Sequence, residues 1–439
     1  MKGDRLLKAG VAKIDITPTK NVWMDGMIRS HPSVGVHDAL FARALVLSND
    51  EGKNDFFVIV SVDVCVLNEK DAYAVREVVA SRTGIPANHI IVAATHTHSG
   101  PATIGFFNPA ESGYIKELVN KMVTVIEQAV TNVKPVAVGV ESGKEETISH
   151  YRRLLADNGR VVMNWEPYPS EHIVGPLGVV DTEVGVLKVV DTENPEGIIC
   201  LLFNHAGHPN VMSGDNYLLS ADYPGVAVRL LEKEFGGVAM FLNGAQGTMD
   251  IDGLKHRDWE GMEKAGKGLS KAVAETARKI NLSRTAILRG AALKYTIPSR
   301  KITDLEWSWA ERVLSQTGGA IQPMADGVGD DYKALLYKKL REVEEDVEVE
   351  QICFAIDCSA FISFPGELFT EIGMQIKKES PFSHTYIVGL ANGGVGYIPT
   401  RKAIKQGGYE VDMRLVAAEA EDIIIQQSLS LLRGVYKIG

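Results

Sequence analysis

Apolar residues along this chain gather in short runs rich in Val, Ile and Phe, at 55–65, 89–94, 184–190, 198–203, 238–242, 352–364 and 386–390. Few charges interrupt them, and turn residues bound most of them. Such runs read as buried strands. Between them, apolar positions at helical spacing predict helices near 69–82, 111–132, 223–235, 259–280 and 413–432. The alternation predicts an α/β fold: a mixed β-sheet core flanked by helices. The stretch 303–348 differs, with two charged helical patterns around Gly318-Gly319 and a loop at 326–331. It reads as a helical insertion, either a lid or a solvated helical pair. No repeat, low-complexity tract or long Pro/Ser linker divides the rest, so one domain is expected over 1–439.

Composition narrows the partners. A chain of 439 residues can bury a large core, and 45% hydrophobic with 23% charged residues is ordinary for a globular protein. A formal net charge of −10 disfavours nucleic acid and anionic membrane surfaces. No apolar run approaches the ~20 residues that span a bilayer. The opening Met1-Lys2-Gly3-Asp4-Arg5 lacks the apolar core of a signal peptide, so a cytoplasmic protein without stable membrane anchoring is expected. A small-molecule substrate is the expected partner, and a homo-oligomer stays open. Cys65, Cys200, Cys353 and Cys358 lie in or beside strand-like runs without a Cys-x-x-Cys pair, and read as buried free thiols.

Reactive groups concentrate where strands end. The run 90–94 is followed by Thr95-His96-Thr97-His98-Ser99-Gly100-Pro101. At a strand end a His-x-His pair projects both imidazoles to one side, because side chains alternate. Imidazole suits zinc, copper, iron and nickel. Four further segments share the pattern: Phe203-Asn204-His205-Ala206-Gly207-His208-Pro209, Phe364-Pro365-Gly366-Glu367, Gly393-Gly394-Val395-Gly396-Tyr397 with Gly407-Gly408-Tyr409-Glu410, and Asn243-Gly244-Ala245-Gln246-Gly247-Thr248-Met249-Asp250. Ligands of open α/β sheets bind at the carboxyl ends of strands. Two histidines, a carboxylate and an open position make a catalytic zinc site. His31, His37, His89, His172, His256 and His384 read as hydrogen-bonded turn residues instead.

Taken in order, Thr-His-Thr-His-Ser-Gly-Pro, the strand ending in His-Pro, Pro-Gly-Glu and the glycine-rich run before Tyr397-Ile398 resemble the neutral ceramidase family of zinc amidases. The opening Ala9-Gly10-Val11-Ala12-Lys13-Ile14-Asp15-Ile16-Thr17-Pro18 and Phe41-Ala42-Arg43-Ala44 are similar to it too. The resemblance implies Zn2+ as cofactor, with His96, His208, Glu367 and Tyr397 as its ligands. It implies that His98 faces the substrate as general acid to the leaving amine, and that Tyr409 helps to hold the developing oxyanion. Arg152, in His150-Tyr151-Arg152-Arg153, falls where the family has an Asn-Arg pair. His205 is expected to line the pocket. Asp63 and Asp222 are candidates to orient the ligand imidazoles.

Three departures shape the expected chemistry. Asp250 stands at the position of the family's serine, so a zinc-activated water is the expected nucleophile and Asp250 an expected substrate-binding residue. The family's C-terminal sandwich-like domain has no counterpart, and no secretion signal is seen. The expected function is a zinc-dependent amidohydrolase acting on a soluble N-acyl compound rather than ceramide. An esterase or cyclic-amide hydrolase on the same site, or a zinc-dependent binding protein without catalysis, are the alternatives.

Overall fold

The computed structural model describes residues 6–49, 56–194, 197–251 and 255–438. Eight strands form one mixed sheet. Across it run Val238–Asn243, Ile198–His205, Glu183–Asp191, Lys134–Lys144, Lys8–Asp15, Phe41–Ser48, Phe56–Val62 and Ile90–Ala94. The outermost pair on each side is parallel and all other neighbours are antiparallel. Parallel neighbours need a crossover. Helix Glu69–Thr83 supplies one and helix Asp222–Phe235 the other.

The two edges of this sheet approach each other. The Ser61 hydroxyl donates to the Phe241 carbonyl at 2.6 Å, and Asn243 Nδ2 donates to the Thr95 carbonyl at 3.3 Å. Four parallel strand ends and the loops after them therefore meet in one region.

A second sheet runs Leu288–Ile297, Val347–Ile356, Ser359–Ser363 and His384–Val388, the last two parallel. It packs face to face on the first. Leu45, Ile59, Leu187 and Leu242 meet Phe354, Phe361, Tyr386 and Val388 between the sheets. Helices Glu69–Thr83, Ser112–Thr131, Asp222–Phe235 and Trp259–Ala277 cover the outer face of the large sheet. Helices Thr370–Glu379 and Ala420–Lys437 cover the small one. In strand Phe56–Val62 the residues Val58, Val60 and Val62 face helices while Phe57 and Ile59 face the other sheet. Burial on both faces explains why such strands read as continuous apolar runs.

Some boundaries differ from the sequence expectation. The run 352–364 is a hairpin, broken at Asp357, whose φ of 50° makes a tight turn. Cys358 sits on that turn and is exposed, whereas the other three cysteines are buried. The helix expected over 413–432 is two, Tyr409–Met413 and Ala420–Lys437. Position 55 lies outside the described residues. The strands Lys8–Asp15, Phe41–Ser48, Lys134–Lys144 and Leu288–Ile297 were not predicted, because Ala, Gly and Lys dilute their apolar pattern. The small residues answer to packing: a Cβ on Gly10 would lie 2.0 Å from the Ala129 carbonyl oxygen of helix Ser112–Thr131.

Within 303–348 lie helices Asp304–Thr317 and Asp330–Arg341. Thr303 and Glu306 cap the first with a reciprocal pair of hydrogen bonds. The helices bury Ala310, Tyr332, Leu336 and Tyr337 against Phe106, Phe107, Tyr397 and Tyr409. They form a wall beside the strand ends, not a fully solvated pair. Among the described residues, no helix is long and apolar enough to cross a membrane.

Candidate metal centre

After Ala94 the chain leaves the sheet. His96 takes a left-handed φ of 74°, rare for a residue with a side chain, and its N–H donates to the Val64 carbonyl at 3.0 Å. Strand alternation therefore does not bring His96 and His98 together; this turn does. Their rings stand edge to face, 4.7 Å apart, with Nε2 atoms 3.3 Å apart. Gly26 permits the packing, since a Cβ there would lie 2.4 Å from His98 Cγ.

Backbone carbonyls fix the tautomers of two histidines. His96 Nδ1 lies 2.8 Å from the Cys65 carbonyl oxygen, and His208 Nδ1 lies 2.8 Å from that of Met249. A carbonyl only accepts, so each Nδ1 carries the proton and each Nε2 presents a lone pair. Both Nε2 atoms face Glu367 Oε2, at 3.4 and 3.2 Å. That oxygen is buried and accepts no hydrogen bond. The ligand atoms of His96, His208 and Glu367 all lie within 4.8 Å of one another. The three atoms converge on one buried point, and positive charge there, on a metal ion or as a proton on His96, satisfies all three.

The electrostatics agree. Burial opposes ionisation of Glu367, but His96 and His208 outweigh it and hold the carboxyl well below its ordinary range. Burial likewise opposes protonation of His96, yet the neighbouring Cys65 and Glu367 pull its pKa well above the usual value. The site favours positive charge at that point. A pair of imidazoles and a carboxylate fit zinc and other first-row ions. Cys65, His96 and His98 form a second trio within the same distance limit, sharing His96.

Tyr397 pairs directly opposite Glu367 in a short parallel ladder, which places it at the same site. With His96, His98, Glu367 and Tyr409 it lines one cavity, whose remaining wall includes Ile104, Phe106, Phe107, Met413 and Leu415. Arg152 lies behind it. Its guanidinium carbon sits 5.2 Å from the Tyr397 ring centre, 5.9 Å from that of Tyr409 and 5.3 Å from that of Trp165. Its Nη1 is 3.2 Å from His208 Nε2. Glu410 receives Arg152 Nε on one oxygen and Arg153 Nη1 on the other, both at 2.7 Å.

Other expected residues lie elsewhere. His205 is fully buried at a strand end, its Nε2 3.2 Å from the Ser149 hydroxyl and its Nδ1 3.1 Å from the Glu183 carbonyl; it does not line the cavity. Asp250 is 1% exposed, accepts the Ile251 N–H, and faces Arg257 at 3.7 Å. It too is absent from the cavity wall. Asp63 binds Arg43 and the Phe41 N–H, and Asp222 binds the N–H groups of Val211 and Tyr223. Neither orients an imidazole; carbonyls do that work. Of the histidines set aside, His31 and His37 stack on Tyr217 and Trp259, and His172 pairs with Asp157.

Sequence reasoning missed Glu410, Trp165, Asp25 and Arg29. Arg29 is buried and donates to the carbonyls of Asp25, His98 and Asn216, pinning the loop of His98. Only the tertiary fold brings these residues to the site. Tyr409 also lines a wider outer pocket of about 770 Å³, between the loop 160–167 and residues 324–330.

Comparison with known proteins follows the same geometry. The family model described as neutral/alkaline non-lysosomal ceramidase, N-terminal, matches residues 7–250. Neutral ceramidase 2 of Arabidopsis thaliana is 28% identical over 248 residues, 52% of this chain and 30% of that protein. The neutral ceramidase of Pseudomonas aeruginosa is 26% identical over 229 residues, 50% of this chain and 32% of that protein. The matched part of the chain thus spans about a third of the length of these curated relatives. The crystal structure of the Pseudomonas aeruginosa protein shares the fold, with a TM-score of 0.77 at 19% identity, over 99% of this chain and 75% of that one. The likeness of fold therefore continues past residue 250, through the second sheet and the short ladder that pairs Glu367 with Tyr397. The chain belongs to the neutral/alkaline non-lysosomal ceramidase family.

Proposed function

We propose that this protein is a zinc-dependent hydrolase that cleaves the amide bond of a polar N-acyl compound. The observation that carries the reading is the convergence of His96 Nε2, His208 Nε2 and Glu367 Oε2 on one buried point. Those three groups would hold the metal, with Tyr397 beside Glu367 as a fourth ligand. When bound, zinc polarises a carbonyl oxygen and lowers the pKa of water to about 7.

The chain's own residues serve the remaining steps. Burial, then the neighbouring His96 and His208, depress the pKa of His98 well below the ordinary value, so its ring enters the reaction neutral. A neutral His98 accepts a proton from the attacking water and returns it to the leaving amine. Tyr409 lies at the wall of the site and donates a hydrogen bond to the carbonyl oxygen as it gains charge, such a donor being worth about 3 kcal/mol, while the Arg152 guanidinium behind the Tyr397 and Tyr409 rings adds positive charge. Asp250 is engaged by Arg257, which favours water over a side-chain nucleophile at that position.

The outer pocket mixes charged side chains with Val161, Met163, Trp165, Met324 and Val328, and its charged groups favour a substrate that carries polar substituents. Arg160, Glu166, Asp326, Asp330, Lys333 and Asp412 line it. A long alkyl chain laid across them would strip water from charged groups without compensation. Hydrolysis of short N-acyl amines by the zinc-loaded chain, and its loss in Glu367→Gln, tests the proposal. Stoichiometric zinc with no turnover of amides or esters would leave a binding protein instead.

A further inference from the structure

Asp25 is 1% exposed and lines the same cavity as His96, His98 and Glu367. Its Oδ2 accepts the Thr103 N–H at 2.7 Å. Its Oδ1 accepts no hydrogen bond. Arg29, the nearest cation, donates to the Asp25 backbone carbonyl rather than to the carboxylate. His98 Nδ1, one loop away, is a second buried atom without a partner. The wall around them is otherwise largely apolar: Ile104, Phe106, Phe107, Met413 and Leu415. Burial raises the Asp25 pKa to about 6, against the pull of the Thr103 and Ile104 N–H groups.

A buried carboxylate with one unpaired oxygen is costly, and a purely structural tie to Thr103 uses only the other oxygen. We propose that Asp25 binds an O–H or N–H donor of the substrate, a hydroxyl or an ammonium close to the scissile bond, and so selects N-acyl compounds that carry one. This rests on the hydrolase reading above. A site built to pair such a donor rejects the analogue that lacks it, because the carboxylate is then left alone.

Two probe sets test it on the zinc-loaded full chain by calorimetry. One varies the acyl side: butanohydroxamate, 3-hydroxypropanohydroxamate and 3-aminopropanohydroxamate. The other varies the amine side: N-acetylpropylamine, N-acetylethanolamine and N-acetylethylenediamine, which are also assayed for hydrolysis. In one set the donor-bearing probe should bind at least tenfold tighter than its methyl counterpart. Asp25→Leu should abolish that preference. Asp25→Asn should keep a preference for hydroxyl and lose one for ammonium, which separates the two donors. Affinities within twofold in both sets, or a preference that survives Asp25→Leu, would overturn the proposal. Preference without turnover would sink the hydrolase reading and leave Asp25 standing. Turnover without preference would do the reverse, and neither binding nor turnover would end both.

Discussion

Glu410 holds Arg152 in place beside His208, Oε1 to Nε at 2.7 Å, with its other oxygen on Arg153 and none of the three exposed by more than 2%. The carboxylate offsets two buried guanidinium charges at once. Removing one partner of such a pair strands the rest, at a cost of about 3–5 kcal/mol. Glu410→Ala should therefore lower the melting temperature sharply. Glu410→Gln, which keeps the shape, should lose activity by a larger factor than it loses zinc, because Arg152 drifts from the Tyr397 and Tyr409 rings. Unfolding curves and zinc content of the two variants check this, and wild-type stability in Glu410→Ala would refute it.

The proposed metal ligands predict a stoichiometry. The chain should bind about one zinc, lost in His208→Ala and in Glu367→Gln. His205→Ala is the control: its ring bonds Ser149 and Glu183, so zinc content should stay at the wild-type level although stability falls. Free zinc at 100 times its dissociation constant should stabilise the wild type by about 2.7 kcal/mol and His208→Ala by much less. Elemental mass spectrometry and thermal unfolding read both. Equal zinc in His208→Ala and wild type would remove the site.

Much of this arrangement was legible in the sequence because strand ends carry a local signature. An apolar run followed by His, Gly and Pro located His96 and His208, and Pro365-Gly366-Glu367 located the carboxylate. The sequence could not show that opposite sheet edges close on each other through Ser61 and Asn243, which brings those loops together. Strand pattern alone does not separate His205 from His208; only the family resemblance gave them different roles. Both follow the same strand, but His205 is still within the ladder, opposite Val184, whereas His208 is three residues beyond in the loop. Glu410 and Asp25 carry no local signal, since their partners are hundreds or tens of residues away. Carbonyls took the place of the expected carboxylates on the imidazoles, and backbone acceptors leave no mark in a sequence.

Asp222 gives a pH prediction. It starts helix Asp222–Phe235 at a φ of 57° and accepts the Val211 N–H, three residues after His208. Burial raises its pKa from 3.8 to about 7, against the pull of neighbouring N–H groups. A raised carboxyl pKa means that the fold prefers the protonated form. Its contribution is full below the unfolded pKa near 4 and is lost as pH rises through about 7. Asp222→Asn mimics the protonated form. The two proteins should match in stability near pH 4, and the variant should gain on the wild type up to pH 7, by at most about 4 kcal/mol. Urea unfolding with a chelator present, at three pH values, measures it. A stability difference independent of pH would exclude this group as the source.

Arg257 links the family's serine position to the outer pocket. One Nη1 atom reaches Asp326 Oδ1 at 2.8 Å and the Asn210 carbonyl at 3.0 Å, while Nη2 faces Asp250 at 3.7 Å. Asp326 belongs to the segment that walls the pocket. Its pKa is raised to about 6 by burial, with Arg257 opposing and Asp250 reinforcing the rise. Arg257→Met keeps the bulk and removes the charge. The buried Asp250 and the half-buried Asp326 then lose their common cation, and stability should fall by about 1–3 kcal/mol. The wall of residues 324–330 loses its anchor, so KM should rise more than kcat falls. Zinc content should not change, because neither aspartate touches a proposed ligand. Adding Asp326→Asn removes one stranded charge and should recover part of the stability without recovering KM. That split separates a pocket anchor from a support of the metal site: zinc lost together with activity in Arg257→Met would assign Arg257 to the latter.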